Sequence, residues 1–106
     1  MNKKIYEMHA QICKVFTNPK RLEIISLLRD REKTVNELAE QAGVLQANIS
    51  QHLTVLRQNN VVTTRRDGAN VYYKIANAKI LQAFDLMREV LLEQLKEHEK
   101  LAKRMS

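Results

Sequence analysis

The residues best suited to specific chemistry fall in one stretch, 45–74. Leu45, Ile49, Leu53 and Leu56 recur at helical spacing and define an apolar face. At about 100° per residue, Ala47, Gln51, Thr54 and Gln58 then point away from that face, with Gln46, Ser50 and Arg57 flanking them. A glutamine amide can bond N6 and N7 of adenine together, a serine hydroxyl can donate or accept, and an alanine methyl can pack on the methyl of thymine. Gln46, Ala47, Ser50 and Gln51 are therefore candidates for reading base edges, with Arg57 beside them. A merely solvated helix face is the plainer account of the same residues. Arg65 and Arg66 follow, suited either to phosphate and an adjacent minor groove or to guarding a strand edge with charge. Successive strand residues point to opposite faces, so one of the two is expected to make the full contact. Asp67 and Gly68 are turn-formers first, and Asn70 serves either the turn or a phosphate.

Other reactive residues are scattered. The histidines stand at 9, 52 and 98, there is a single cysteine, and no glycine-rich phosphate loop is present. No catalytic residue is expected, and an enzyme is the poorest reading. His9 and Cys13 are four residues apart, on one side of a helix. They can offer two metal ligands, or four in a dimer. Cys13 can equally be a small packed residue, or a thiol sensor through an intersubunit disulfide or a persulfide. Phasing places His52 about 60° from the buried centre of its helix, so a half-buried structural role is expected for it.

The elements that must position these residues come from a small basic chain. Its 106 residues include 18 Lys or Arg against 12 Asp or Glu, a net charge of +6. Residues 45–74 hold Arg57, Arg65, Arg66 and Lys74 against Asp67 alone, a surplus of +3 that suggests a polyanionic partner. Residues 75–106 are mixed in sign, the pattern of a solvated helix. The length fits one domain, 1–106, with a modest core that dimerisation would enlarge. With 44% hydrophobic and 28% charged residues, global disorder is not expected, and disulfide and collagen-like scaffolds are excluded. No apolar run approaches the roughly 18–20 residues of a membrane span, and no signal segment follows Met1. A cytoplasmic protein without membrane partners is expected.

Two glycines and one proline leave few breaks, hence mostly helix. A first helix covers about 3–16 through Ile5, Met8, Ile12 and Val15. Asn18-Pro19 caps a second, which runs to about Arg29, and Asp30 to Lys33 form a connection. Thr34-Val35-Asn36-Glu37 is a capping box opening a short helix that Gly43 stops. A further helix begins two residues later, so about 34–59 reads as a helix-turn-helix. The period then changes. Val61 to Arg66, Asp67-Gly68, and the alternation of Val71, Tyr73 and Ile75 with Tyr72 and Lys74 make a two-stranded ribbon over about 61–75. The fold class is mainly α with a two-stranded β-wing, a winged helix-turn-helix. Asn77 can cap a last helix over 78–103, about 40 Å long, whose stripe of Ile80, Phe84, Met87, Leu91 and Leu95 exceeds what a small core needs.

Four segments together carry a family pattern. They are Phe16-Thr17-Asn18-Pro19-Lys20-Arg21-Leu22-Glu23-Ile24-Ile25, Thr34 to Ala39, Gln46 to Leu53, and Arg65-Arg66-Asp67-Gly68 followed by Val71-Tyr72-Tyr73. In this order and spacing the chain resembles the ArsR/SmtB family of winged-helix repressors. The resemblance implies a homodimer paired through its first and last helices, 3–16 and 78–103. It implies two recognition helices in successive major grooves of an imperfect DNA palindrome, roughly 34–36 Å apart. It also implies autorepression relieved by an inducer. Gln46, Ala47, Ser50 and Gln51 match the family's DNA-contacting positions. Metal sites common in the family are not matched. The helix before the turn reads Asn36-Glu37-Leu38-Ala39-Glu40 without a thiol, and the other site falls on Asn77, Lys79, Val90 and Glu93. Lysine and valine cannot replace imidazole on zinc, so no metal and no cofactor is expected. Asp85, Met87 and His98 have similar spacing but stand eight residues too far along and end at Leu101. The alternatives are a helical-dimer protein-interaction module without DNA readout, and a thiol- or sulfur-responsive regulator.

Overall fold

The computed structural model describes residues 2–105 of the chain. The elements run α1 (Lys4–Val15), α2 (Pro19–Leu27), β1 (Lys33–Thr34), α3 (Val35–Ala42), α4 (Gln46–Gln58), β2 (Val62–Asp67), β3 (Asn70–Ile75) and α5 (Ala78–Met105). Local chemistry starts and stops most of them. Asn18 Oδ1 accepts the N–H groups of Lys20 at 2.8 Å and Arg21 at 3.2 Å, with Pro19 in the first helical position. Thr34 Oγ1 accepts the Glu37 N–H, and Glu37 Oε1 accepts the Thr34 N–H, both at 3.2 Å, completing the capping box. Gly43 ends α3 in the left-handed region at φ 68°, and the Val44 N–H returns to the Ala39 carbonyl at 3.1 Å. Asn77 Oδ1 accepts the Lys79 N–H at 2.9 Å at the start of α5.

The winged helix-turn-helix is as expected, with one correction: the sheet has three strands, in the order β1-β3-β2. Lys33 pairs with Tyr73 and Thr34 with Tyr72, antiparallel. The sequence places these residues in a connection and a helix cap. Two residues are too few to show a strand's alternation, and their partners lie almost forty positions away. The same Thr34 therefore ends a strand and caps a helix. Lys33 is buried, and its Nζ donates to Gln41 Oε1 of α3 at 2.8 Å.

The core joins α2, α3, α4 and the root of the sheet. Ile24, Ile25, Leu38, Ile49, Leu53 and Leu56 are fully buried, and Val61, Val62 and Leu28 close around them. Tyr73 and Ile75 pack against this cluster from β3. The outer helices meet it sparingly, α1 through buried Val15 and α5 through Phe84. Two polar clasps assist. Arg21 Nε donates to the Val15 carbonyl at 2.7 Å, tying the end of α1 to α2. Arg29 donates to both carboxylate oxygens of Asp85, at 3.0 and 2.6 Å, and the guanidinium carbons of Arg29 and Arg88 stand 5.8 and 4.6 Å from the centre of the Phe84 ring.

Candidate nucleic-acid interface

The burial of α4 decides which residues can meet a ligand. Ile49, Leu53 and Leu56 anchor it in the core. Gln46, Ala47, Ser50 and Gln51 are all exposed on its N-terminal half, and Arg57 is exposed in its last turn. Thr54, also exposed, donates its hydroxyl to the Ser50 carbonyl at 2.9 Å. The four expected base-reading residues thus stand on one open helical face.

Leu45 departs from the expectation. It is 74% exposed, although helical phasing puts it with the buried stripe. The reason is backbone geometry. Leu45 precedes the helix in an extended conformation, φ −68° and ψ 146°, so the 100° rotation per residue does not yet apply to it. An exposed leucine consequently sits beside Gln46 and Ala47 at the mouth of the helix. The signal available in sequence was its place at the boundary, two residues after the Gly43 stop.

His52 is half-buried on the flank of α4, as phasing suggests. Burial pushes its imidazole below the ordinary value, and the positive charges of Arg21 and Lys20 add to that. Its surroundings favour a neutral ring.

The hairpin brings up the second set. β2 and β3 pair in register from Val62↔Ile75 to Asp67↔Asn70, with Gly68 at φ 61° in the turn. Arg65 and Arg66 are both exposed near this tip, yet they differ in their company. Arg65 Nε lies 3.1 and 3.2 Å from the two carboxylate oxygens of Glu32, and its Nη2 also donates to that carboxylate. Its guanidinium carbon stands 4.7 Å from the centre of the Tyr72 ring. The bond from Arg65 holds the Glu32 carboxyl below the usual carboxylate range. Glu32 went unnoticed in sequence because only the β1–β3 pairing brings it to the wing. The positive stretch 45–74 is therefore partly compensated from outside itself.

Cys13 and His9 lie on α1, and both are exposed in the single chain. The packed position considered for Cys13 is not occupied within one chain, because α1 meets the core only near its C-terminal end. Among the described residues, no three His, Cys, Asp or Glu side chains gather to hold a metal ion. Also among the described residues, no helix is long and apolar enough to cross a membrane.

Comparison with known proteins agrees with this geometry. Residues 18–64 match the model of the bacterial regulatory protein arsR family. The HTH-type transcriptional regulator KmtR of Mycobacterium tuberculosis is 39% identical over 73 residues, 69% of this chain and 56% of its own length. The crystal structure of M. tuberculosis Rv0081 superposes with a TM-score of 0.83 at 35% identity, covering 92% of this chain and 98% of that one. A homodimeric winged helix-turn-helix DNA-binding domain, Mb0332 of Mycobacterium bovis, superposes with a TM-score of 0.81 at 30% identity, covering 89% and 87%. The capped α3, the Gly43 turn and the open face of α4 all fall within the matched family segment. With these features and likenesses together, the chain belongs to the arsR family of bacterial regulatory proteins and is a winged helix-turn-helix transcriptional regulator rather than an enzyme.

Proposed function

We propose that the protein is a dimeric, sequence-specific DNA-binding autorepressor that leaves its operator when an inducer binds. The observation that carries this reading is the division of α4: its apolar side is fully buried, and Gln46, Ala47, Ser50 and Gln51 present amide, hydroxyl and methyl groups on the open side. Arg57 supplies a charge for the DNA backbone, and the wing adds one through Arg65 or Arg66. Dimerisation follows from the apolar surface left open on α1 and α5, including Ile5, Met8, Ile12, Leu91 and Leu95. A two-fold pair places two copies of α4 in successive major grooves, about 34 Å apart, over an imperfect palindrome. The work is cytoplasmic, where the DNA is.

The test is footprinting on the DNA upstream of the protein's own gene, followed by binding at several salt concentrations. Expected are a protected imperfect palindrome and an affinity that falls steeply with log[salt]. Gln51→Ala should relax sequence preference, whereas Arg57→Ala should weaken all sequences alike. A folded wild-type chain that binds no DNA at low salt sinks the reading and leaves the protein-interaction module.

Cys13 is the candidate for a thiol or sulfur response, because its thiol is open in the single chain. Screening oxidants, sulfur species and metals for release of the bound DNA tests it. Release that persists unchanged in Cys13→Ser removes Cys13 from the response.

A further inference from the structure

The two wing arginines are neighbours in sequence and opposites in setting. Register partners share a face of a hairpin and successive residues alternate. Arg65 stands across from Tyr72, on the face that also carries Lys74, whereas Arg66 stands across from Val71 on the other face. Pairing of Thr34 with Tyr72 and of Lys33 with Tyr73 carries Glu32 to the Arg65 side. There Glu32 takes the Nε and Nη2 edge of Arg65 in a forked contact, Tyr72 supports the guanidinium plane, and Asp67 lies 3.9 Å from Nη1. Arg66 is exposed and makes no ion pair among the described residues.

Stability does not account for this arrangement. The side chains of Arg65 and Glu32 are 51% and 31% exposed, and open ion pairs contribute little to folding. The larger effect is on charge. Binding to DNA draws its salt dependence from each cation that displaces counterions from a phosphate. A guanidinium forked to a carboxylate brings no net charge. To meet a phosphate on that edge, it must first leave Glu32 unpaired.

Resting on the DNA-binding reading above, we infer that Glu32 is a positioning residue that neutralises Arg65 and holds it beside Tyr72, so that of the two wing arginines Arg66 is the one that brings its charge to a DNA phosphate. The two arginines then divide the work. Arg65 shapes the hairpin and presents a planar edge, and Arg66 adds affinity without regard to sequence. Glu32 decides which of the two arginines makes the full contact that strand alternation allows to only one.

The experiment measures the full chain binding a fluorescein-labelled duplex from its own upstream region and an unrelated duplex of equal length, across a salt series. Arg66→Gln should reduce the steepness of the fall of log K with log[salt] by about 0.9 per engaged wing. Glu32→Gln should raise it by about the same amount by freeing Arg65. Glu32→Gln combined with Arg65→Gln should return the wild-type slope, and so should Glu32→Gln combined with Arg66→Gln, because the freed Arg65 replaces the lost charge. A second readout is independent of DNA: carbon-detected NMR titration should find the Glu32 carboxyl below the usual range and rising towards it in Arg65→Gln. An unchanged or weakened salt response in Glu32→Gln overturns the inference alone, as does a loss in Arg65→Gln that the double variant keeps, or an ordinary Glu32 titration. A wild-type chain that binds neither duplex overturns it together with the reading it rests on.

Discussion

The inner body and the two outer helices use the same residue types to different ends. Ile49, Leu53 and Leu56 in the body are fully buried, while Met87, Leu91 and Leu95 on α5 are each more than half exposed. Both groups recur at helical spacing, so periodicity alone gives them equal claim to a core. The difference is completion. Apart from Leu45, the body closes its apolar surface within one chain, and the outer helices leave theirs for something else to cover. Stability and assembly should therefore respond to different leucines.

The strongest way to break this comparison is a core truncation. Leu53→Ala should cost about 3 kcal/mol, the usual toll of a cavity at a fully buried leucine, read as a lower urea midpoint. DNA binding would fall with the folded fraction. Leu91→Glu should do the reverse, leaving the secondary structure in place while sedimentation changes from dimer to monomer and operator affinity drops at least tenfold. If Leu91→Glu unfolds the chain instead, the outer helices belong to the body and the contrast fails.

Smaller effects sharpen the picture of the body. Gly43→Ala meets no atom within 4 Å, so its cost, about 1 kcal/mol, should come from the left-handed backbone alone. Thr34→Ala removes one cap and should cost about 1 kcal/mol, measured by the same urea titration. The smallest effect concerns acidity. His52 holds its proton less readily in the folded chain than in the unfolded one, because burial and then Arg21 and Lys20 disfavour the charged ring. Its contribution is neutral above about pH 6.5, and stability is lost as pH falls below that value towards the depressed folded one. His52→Gln should flatten the fall in urea midpoint between pH 7.5 and 5.5. An equal fall in both proteins would place the acid sensitivity elsewhere.

Much of this architecture is legible in the sequence because it is written locally. The Thr34–Glu37 box, the Gly43 stop, the Asn18-Pro19 start and the Asp67-Gly68 turn each act over six residues or fewer, and each forms where its chemistry indicates. The open residues of α4 follow from phase, since Ile49, Leu53 and Leu56 fix the helix's rotation. What escaped depends on distant partners or on boundaries. β1 exists only because Tyr72 and Tyr73 are there to pair with it. Glu32 reaches Arg65 across 33 positions, through that same pairing. Leu45 sits where helical phase begins, and its own extended backbone swings it outward. The exposure of Cys13 depends on how little of α1 touches the body.

Thr34 has one more consequence. It pairs with Tyr72 as the end of a strand and caps α3 as the start of a helix, so the hairpin passes into the helices beneath it within a single residue. No joint separates them. A substitution at Thr34 would therefore be felt in two places at once, in the pairing that steadies the hairpin and in the first turn of α3.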